Sequence, residues 1–330
     1  MKNQKKMKRT ERLAVILVSL LFFAAAVYGG IRLIVQAPPA PDLDQTPTQD
    51  TQPDGAETTI PNSRARKEYC YNILVSGLDD GNGGSDTNLL VRFDAKGKSV
   101  DVVSLPRDTL LHHTWTSNKL NFAYLKGGTP LLMDEIENLL GIPVDFYITV
   151  DFEAFVALVD EIGGVTFDVP VDMDYDDPFQ NLSIHIPKGT QHLWGEDAIK
   201  VVRWRKNNDG TGYPDADIGR INTQQKFLKE VARQTLQMSN VKSIPAFADI
   251  FFTYVKTDLS LGNLVWLGTE ALGIGMDNIR FHTLPGDGMG YYRGESVYAL
   301  DPAATLTLVN DALNPYTTPI EAEDMDILVP

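Results

Sequence analysis

Three short apolar runs, separated by turn residues, constrain the fold of this chain more than any other feature. The runs cover residues 72–76, 88–93 and 99–105. Each is rich in Val, Ile and Leu and is bounded by Gly, Asp or Lys, which is the pattern of a short β-strand. If the three strands are neighbours, the polar residues at their ends gather along one edge of a sheet, where open α/β folds bind ligands.

Polar residues at these strand ends are candidates for a functional site. Asp79 and Asp86 flank a glycine-rich loop, and Arg107 and Asp108 follow the third run in SLPRDT. Carboxylate oxygens suit Mg²⁺, a hard cation that often shares its ligands with substrate phosphates. A guanidinium can make paired hydrogen bonds to a phosphate. Ordinary turn chemistry also accounts for the two acids, and a surface ion pair also accounts for Arg107.

A second cluster of cations lies in VVRWRKNNDGTGYPDADIGRINTQQ. Arg203 and Arg205 are two residues apart, so in an extended segment they share a face and can reach one anion. Arg220 and Gln224 are four apart at the start of a predicted helix, hence on one face. A helix N-terminus also favours anions. The competing interpretation is a structural network of ion pairs.

Other polar side chains give weaker indications. Lys119 and Asn121, two apart in NKLNFAY, are predicted to extend the polar site. His112 and His113 are the only adjacent histidines and are a weak candidate for a metal site. Cys70 is the single cysteine, which excludes an intrachain disulfide framework.

The amino-terminal segment has the pattern of a membrane anchor. Residues 1–12 carry six Lys/Arg and one Glu, and residues 13–31 are uncharged and mostly apolar. These nineteen residues, as a helix, span about 28 Å, close to the thickness of a bilayer core. We predict a basic cytoplasmic tail (1–12) and an uncleaved transmembrane signal anchor (13–35), with the remaining chain outside the cell. A cleaved signal peptide is the alternative, although its apolar core is usually shorter.

The rest of the chain divides by composition. Residues 36–67 are rich in Pro, Thr, Asp, Gln and Ser and predict a disordered extracellular linker. Residues 68–320 are long enough for one domain with a substantial core, and residues 321–330 form a C-terminal tail, with the chain after Tyr316 expected to be frayed. The net charge of −15 disfavours nucleic-acid binding.

Helical and strand-like patterns alternate after the three runs. This alternation predicts an α/β domain with helices packed on a mixed sheet. The predicted helices are 129–140, 152–162, 195–202, 218–238, 258–272 and 302–313, and the further strands are 144–150, 165–169 and 278–284.

In their order and spacing these motifs resemble the LytR-CpsA-Psr family of cell-envelope glycopolymer transferases. The resemblance runs from about residue 71 to residue 225 and includes NILVSGLD, SDTNLLVRFD, VDVVSLPRDT and GRINTQQKFL. It implies an α/β/α sandwich. It also implies a membrane-anchored, extracellular, Mg²⁺-assisted phosphotransferase that moves a glycopolymer from a polyprenyl-pyrophosphate carrier to peptidoglycan.

The resemblance assigns roles to the candidate residues by position. Asp79 and Asp86 would bind the metal, and Asp108 and Asp217 would orient groups or assist proton transfer. The residues that would hold the pyrophosphate are Arg107, Lys119, Asn121, Arg203, Arg205, Arg220 and Gln224. The catalytic set would be Asp79, Asp86, Arg107, Asp108 and Asp217. An apolar channel within the core would take the polyprenyl tail.

This chain departs from the family pattern at two positions. Gly84 and Thr223 stand where the family usually has arginine, which would weaken pyrophosphate binding, alter the donor or lower activity. Two alternatives to the transferase therefore stay open: a lipid-pyrophosphate hydrolase, and a non-catalytic binder of polyprenyl phosphate or glycan that regulates envelope assembly. A cytoplasmic DNA-binding regulator is disfavoured by the anchor and the acidity.

Overall fold

A computed structural model describes residues 35–39, 64–78, 84–179, 182–214, 217–237, 250 and 253–330. The strands are β1 (Cys70–Leu78), β2 (Ser85–Asp94), β3 (Ser99–Leu105), β4 (Phe146–Val150), β5 (Val165–Val169), β6 (Met173–Asp177), β7 (Leu182–Ile186), β8 (Gly189–Leu193), β9 (Val255–Thr257), β10 (Ile279–Thr283), β11 (Gly286–Tyr292) and β12 (Glu295–Leu300). The helices are α1 (Leu120–Leu140), α2 (Phe152–Glu161), α3 (Gly195–Arg203), α4 (Asp217–Gln237), α5 (Leu261–Ile274) and α6 (Pro302–Leu308), which continues as a π-helical turn, Val309–Leu313.

A six-stranded mixed sheet organises the domain, with strand order β10-β3-β2-β1-β4-β9. β2 is antiparallel to both β1 and β3, whereas β1 is parallel to β4 and β3 is parallel to β10. The carboxyl ends of β1, β3, β4 and β10 therefore meet at one edge, called here the carboxyl edge. The prediction that the first three runs form neighbouring strands is confirmed.

Helices cover both faces of this sheet because successive strand side chains point to opposite faces. Leu74, Leu90 and Val103 lie on the face covered by α1. Ile73 and Val102 lie on the other face, under α5. The predicted α/β fold with a mixed central sheet is therefore confirmed.

A second core lies beyond the carboxyl edge, built from α2, the hairpins of β5–β8, α3 and α4. Trp204 and Phe227 are fully buried within it. Phe152 starts α2 directly after β4. On α4, the Gln225 Nε2 donates to the backbone oxygen of His282 at the end of β10 (2.7 Å). These connections hold the second core against the carboxyl edge.

The structure differs from the sequence prediction in several elements. The helix predicted over 129–140 begins at Leu120 and is kinked at Gly128 (φ 67°), with Pro130 just beyond. The residues Gly127, Gly128, Thr129 and Pro130, which directly precede or begin the predicted helix, bend a longer helix. Several short strands were not predicted, namely β6, β7, β8, β9, β11 and β12. Strands such as MDYDD and GDGMGYY lack a continuous apolar pattern because much of their surface faces solvent.

The expectation of a frayed chain after Tyr316 is wrong. Ile320 is 1% exposed and joins the core beneath α1. The Asp324 carboxylate accepts a hydrogen bond from Arg64 Nη2 at 2.7 Å. Arg66 also belongs to the domain, since its guanidinium pairs with Asp145 at 2.6 Å. The packed chain thus begins before the predicted boundary at residue 68 and continues through the predicted C-terminal tail.

Part of the predicted linker also contacts the domain. The backbone oxygen of Gln36 accepts a hydrogen bond from Asn263 Nδ2 (3.1 Å), and that of Pro38 accepts one from the Tyr71 hydroxyl (2.8 Å). The predicted cytoplasmic tail and the apolar run 13–31 lie outside the described residues. Within the described part, no helix has the length and apolar character needed to cross a membrane.

Candidate functional site

Arg107 follows β3 and is held at the carboxyl edge by the start of α1. Its backbone oxygen accepts a hydrogen bond from the Asn121 N–H (2.9 Å). The Thr109 hydroxyl donates to the Pro106 oxygen (2.6 Å), which closes the turn. The Arg107 side chain is 29% exposed. Arg107 therefore lies just past the end of a strand, as its place in SLPRDT predicts, and its role toward a phosphate stays a prediction.

Asp108 lies between two cations. Its carboxylate is 3.3 Å from Lys119 Nζ and 3.9 Å from Arg107 Nε. Lys119 therefore contacts Asp108, and the predicted part of Lys119 and Asn121 in the polar site stays a prediction. Asn121 contributes its backbone N–H to the Arg107 turn.

Arg203 and Arg205 approach the same space because α3 ends between them. Arg203 is the last helical residue, and Trp204 is extended (φ −62°, ψ 137°) and 1% exposed. The Arg203 guanidinium carbon lies 4.5 Å from the centroid of the Phe152 ring, a cation–π contact. Both arginines therefore line the same cavity, and Trp204 packs into the second core; that the two arginines bind one anion stays a prediction.

Arg220 and Gln224 lie on one face of α4, as their spacing predicts. Gln224 Nε2 donates to the Val202 oxygen (2.9 Å), which ties α4 to α3. A Cβ at Gly219 would overlap the Tyr213 side chain, so glycine is needed for this close approach. Burial raises the pKa of the Tyr213 hydroxyl, while the charge of Arg220 partly opposes this shift.

These side chains surround a cavity of about 340 Å³. Its lining residues are Thr87, Arg107, Phe152, Tyr175, Leu182, Ile184, Val202, Arg203, Trp204, Arg205, Lys206, Arg220 and Gln224. Five of them carry positive charge, and none of the described lining residues is a carboxylate. In a chain of net charge −15, this concentration of cations favours a ligand with several negative charges. We call it the arginine cavity.

One wall of the arginine cavity is apolar, which the sequence did not predict. Tyr175 comes from β6, Leu182 and Ile184 come from β7, and Val202 comes from α3. The only indication in the sequence is the alternation in LSIHI, which places Leu182 and Ile184 on one side of a strand. Nothing in that alternation says which face of the strand meets a ligand.

The predicted metal ligands are described incompletely. Asp79 lies outside the described residues, and Asp86 is described only in its backbone. Leu78 pairs with Ser85 and Gly77 pairs with Thr87, so Asp86 is the extra residue of a β-bulge. Thr87 itself lines the arginine cavity. The metal assignment stays a prediction, with the Asp86 backbone beside the cavity.

Asp217 is also described only in its backbone, as the first residue of α4, so its role stays a prediction.

His112 and His113 have different partners, since His112 pairs with Asp326 (3.0 Å) and His113 pairs with Glu135 (2.6 Å). Among the described residues there is no group of three or more side chains suited to hold a metal ion. The weak interpretation of the two histidines as a metal site gains no support.

The two departures from the family pattern have different surroundings. Thr223 is 4% exposed, and its hydroxyl donates to the Gly219 oxygen within the first turns of α4 (2.9 Å). A buried hydroxyl therefore occupies a position where the family usually carries a cation. Gly84 directly precedes β2, whose start lies at the carboxyl edge because β2 is antiparallel to β1. The effect of both departures on activity stays a prediction.

Comparisons with known proteins agree with this fold. The polyisoprenyl-teichoic acid–peptidoglycan teichoic acid transferase TagV of Bacillus subtilis is 32% identical over 250 residues, which cover 72% of this chain and 62% of TagV. This chain thus spans less than two thirds of the length of TagV. The transferase TagU of the same organism is 30% identical over 242 residues, covering 69% of this chain and 74% of TagU.

The crystal structure of B. subtilis TagV is similar to the domain, with a TM-score of 0.61 and 28% identity over 72% of this chain and 94% of TagV's solved chain. The model of the LytR_cpsA_psr family matches residues 42–312. The match covers most of the chain, including every element that lines the arginine cavity. The chain belongs to the LytR_cpsA_psr family.

Proposed function

We propose that this protein is a membrane-anchored, extracellular phosphotransferase that moves a glycopolymer from a polyprenyl-pyrophosphate carrier to peptidoglycan with the help of Mg²⁺. The observation that carries the proposal is the arginine cavity, in which Arg107, Arg203, Arg205 and Arg220 come from three separate parts of the chain. The names of TagU and TagV, as transferases of teichoic acid between a polyisoprenyl carrier and peptidoglycan, support the same reaction.

The charge of the cavity suits a pyrophosphate. Guanidinium groups form paired hydrogen bonds with phosphate oxygens, and such charge-assisted bonds are stronger than neutral ones. Phosphoryl transfer depends mainly on positioning and on neutralising the charge that develops on the oxygens. Arginines on several sides of the diphosphate would supply both.

The apolar wall suits the part of the donor next to the phosphates. Phe152, Leu182, Ile184 and Val202 lie beside the arginines in the same cavity. At about 340 Å³ the cavity is at the small end of ligand pockets. It would hold the diphosphate and the first isoprene units, and a full polyprenyl chain would have to extend beyond it.

In the proposed reaction, an acceptor sugar hydroxyl attacks the phosphorus that carries the glycopolymer. A new P–O bond forms to the acceptor, the P–O bond to the polyprenyl phosphate breaks, and the hydroxyl proton leaves. Asp108, held between Lys119 and Arg107, would orient the acceptor or take up this proton. Asp217 at the start of α4 is the second candidate for that role.

Asp79 and Asp86 are the proposed ligands of Mg²⁺. The fit of Asp86 rests on its backbone position, in a bulge next to the cavity-lining Thr87. Carboxylate oxygens are suitable donors for this ion. When bound, Mg²⁺ would help to neutralise the oxygens of the diphosphate.

The proposal is tested by incubating the full-length protein in detergent with a polyprenyl-pyrophosphate glycan, Mg²⁺ and peptidoglycan fragments. Mass spectrometry of the products separates three outcomes. A phosphodiester-linked glycopolymer on the peptidoglycan fragment supports the transferase. A free glycan phosphate that forms without acceptor indicates the hydrolase, and an unchanged donor that still binds indicates the non-catalytic binder.

A further inference from the structure

The outer side of α5 carries an unusual stripe of apolar residues. Leu261 and Val265 are each 41% exposed, and Leu272 is 64% exposed. Their spacings of four and seven residues place them on one side of the helix. Gly268 lies on the same side, and a Cβ added there would contact nothing within 4 Å. Because the outer side of a surface helix is normally polar, this α5 stripe is a candidate contact surface.

The chain just after the predicted anchor packs at the beginning of α5. Asn263 Nδ2 donates to the Gln36 oxygen, and the Tyr71 hydroxyl donates to the buried Pro38. The predicted apolar run ends at Ile31, five residues before Gln36. Five extended residues span about 18 Å at most. A bilayer that holds the anchor must therefore lie close to the start of α5.

Aromatic side chains at this end suit a lipid headgroup region. Tyr69 is 43% exposed, and its ring lies 5.7 Å from that of Trp266 on α5. Trp and Tyr are enriched where membrane and water meet. On the neighbouring turn after β2, Lys96 pairs with Glu68 at 2.8 Å and Lys98 pairs with Glu270 of α5 at 2.7 Å, so the aromatic side chains carry this argument.

We propose that the α5 stripe rests on the outer surface of the membrane and orients the domain there. The inference rests on the anchor in the proposed function and adds the surface of the domain that meets the lipid. It is the lipid bilayer, and not a second protein, that the position of residues 35–39 brings next to α5.

The arginine cavity lies at the other end of β1 from residues 35–39. Tyr71 stands at the start of β1 and Leu78 at its end, beside the carboxyl edge. Seven strand steps correspond to about 23 Å. The arginine cavity is therefore about one strand length from the place where the chain would leave the membrane, and the isoprenoid chain of a donor would have to cover a comparable distance.

The test measures contact with lipid directly in the full-length protein, reconstituted in phosphatidylglycerol–phosphatidylcholine vesicles. A fluorophore is attached to a single cysteine introduced as Val265→Cys or Gly268→Cys, and vesicles with brominated acyl chains are compared with unbrominated ones. Control positions are Phe179→Cys and Met289→Cys, at side chains that are 102% and 88% exposed. Cys70 does not interfere because it is buried and its pKa is raised to about 11.

Supporting the proposal requires loss of fluorescence in brominated vesicles at positions 265 and 268 but not at 179 and 289. Equal fluorescence at 265 and 268 in both kinds of vesicle, in protein that floats with the vesicles, overturns the inference while leaving the anchor intact. The inference is also overturned if the fluorophore at position 265 or 268 is protected from solvent when the protein is in detergent without vesicles. Another part of this chain or a second copy then covers the α5 stripe. Protein that does not float with vesicles overturns the anchor and the inference together, whereas the transfer assay in detergent reports on the chemistry separately.

Discussion

The two ends of the central sheet use arginine in opposite ways. At the start of β1, Arg66 is 10% exposed, and its two terminal nitrogens bond to both carboxylate oxygens of Asp145 at 2.8 and 2.6 Å. At the carboxyl edge, Arg107 and three further arginines line a cavity. The difference shows that arginine at one end of the sheet is buried in a structural ion pair, whereas arginine at the other end lines a cavity that a ligand can enter.

The largest expected effect is at the carboxyl edge. Asp86→Ala should abolish Mg²⁺-dependent turnover because it removes a proposed metal ligand, while the fold remains intact since the bulge is defined by backbone pairing. Turnover is measured with the transfer assay, Mg²⁺ binding by calorimetry, and folding by circular dichroism. Asp176→Ala, at an exposed acid of β6, is the matched control and should remain active. Unchanged turnover in the Asp86 variant would contradict the metal assignment.

At the start of β1, at the opposite end of the sheet, the expected effect is on the free energy of unfolding. Arg66→Met leaves the carboxylate of Asp145, which is 1% exposed, without its partner. Breaking a buried pair in this way costs about 3–5 kcal/mol of unfolding free energy, measured by urea denaturation. Lys96→Met breaks the exposed pair with Glu68, whose side chains are 68% and 59% exposed, and should change stability little.

The stability of the Arg66 variant should also depend on pH. Burial already raises the pKa of Asp145 even with Arg66 present, and removing the cation should raise it further. A carboxyl with a raised folded-state pKa stabilises the fold when protonated, so its contribution is present at low pH and is lost as pH rises through that pKa. The stability deficit of the variant should therefore narrow as pH falls through the raised pKa of Asp145 toward the ordinary value of about 4. A deficit that stays constant with pH would show that lost packing, and not the bare charge, is responsible.

A smaller effect is expected for Arg203→Ala and Arg205→Ala. Each should remove charge-assisted hydrogen bonds to the diphosphate, worth about 1.5–3 kcal/mol, which corresponds to a roughly 10- to 150-fold rise in Kd for the donor. Binding of polyprenyl pyrophosphate is measured by competition with a fluorescent analogue. Arg233→Ala, at an arginine paired with Glu230 on α4, serves as the control. If only one of the two substitutions raises the Kd for the donor, the proposal that both arginines bind one diphosphate is wrong.

The sequence predicted the arginines at the carboxyl edge of the sheet but not the ion pair at the start of β1. The spacing of Arg220 and Gln224 was sufficient to predict that they share a face, because helix geometry places residues four apart on one side. The placement of Arg203 and Arg205 could be predicted because the turn residues after them indicate the end of α3. It could not predict that Arg66 pairs with Asp145, since the two residues are 79 positions apart and meet only when β1 and β4 align. The apolar wall was missed for the same reason: the alternation of β7 does not reveal which neighbour its apolar side meets.

The smallest expected effect concerns the contact between Arg203 and Phe152 in the arginine cavity. Arg203 is supported by the ring of Phe152, whereas at the other end of the sheet Arg66 is held by an acid. Phe152→Leu keeps an apolar side chain but removes the cation–π contact, which is worth about 0.5–2 kcal/mol. Donor affinity should fall by about 2- to 30-fold, and the same substitution made in an Arg203→Ala background should then have little further effect. Equal losses in both backgrounds would mean that Phe152 acts on the isoprenoid directly, so the double-mutant comparison distinguishes an aromatic support for the arginine from a contact with the lipid.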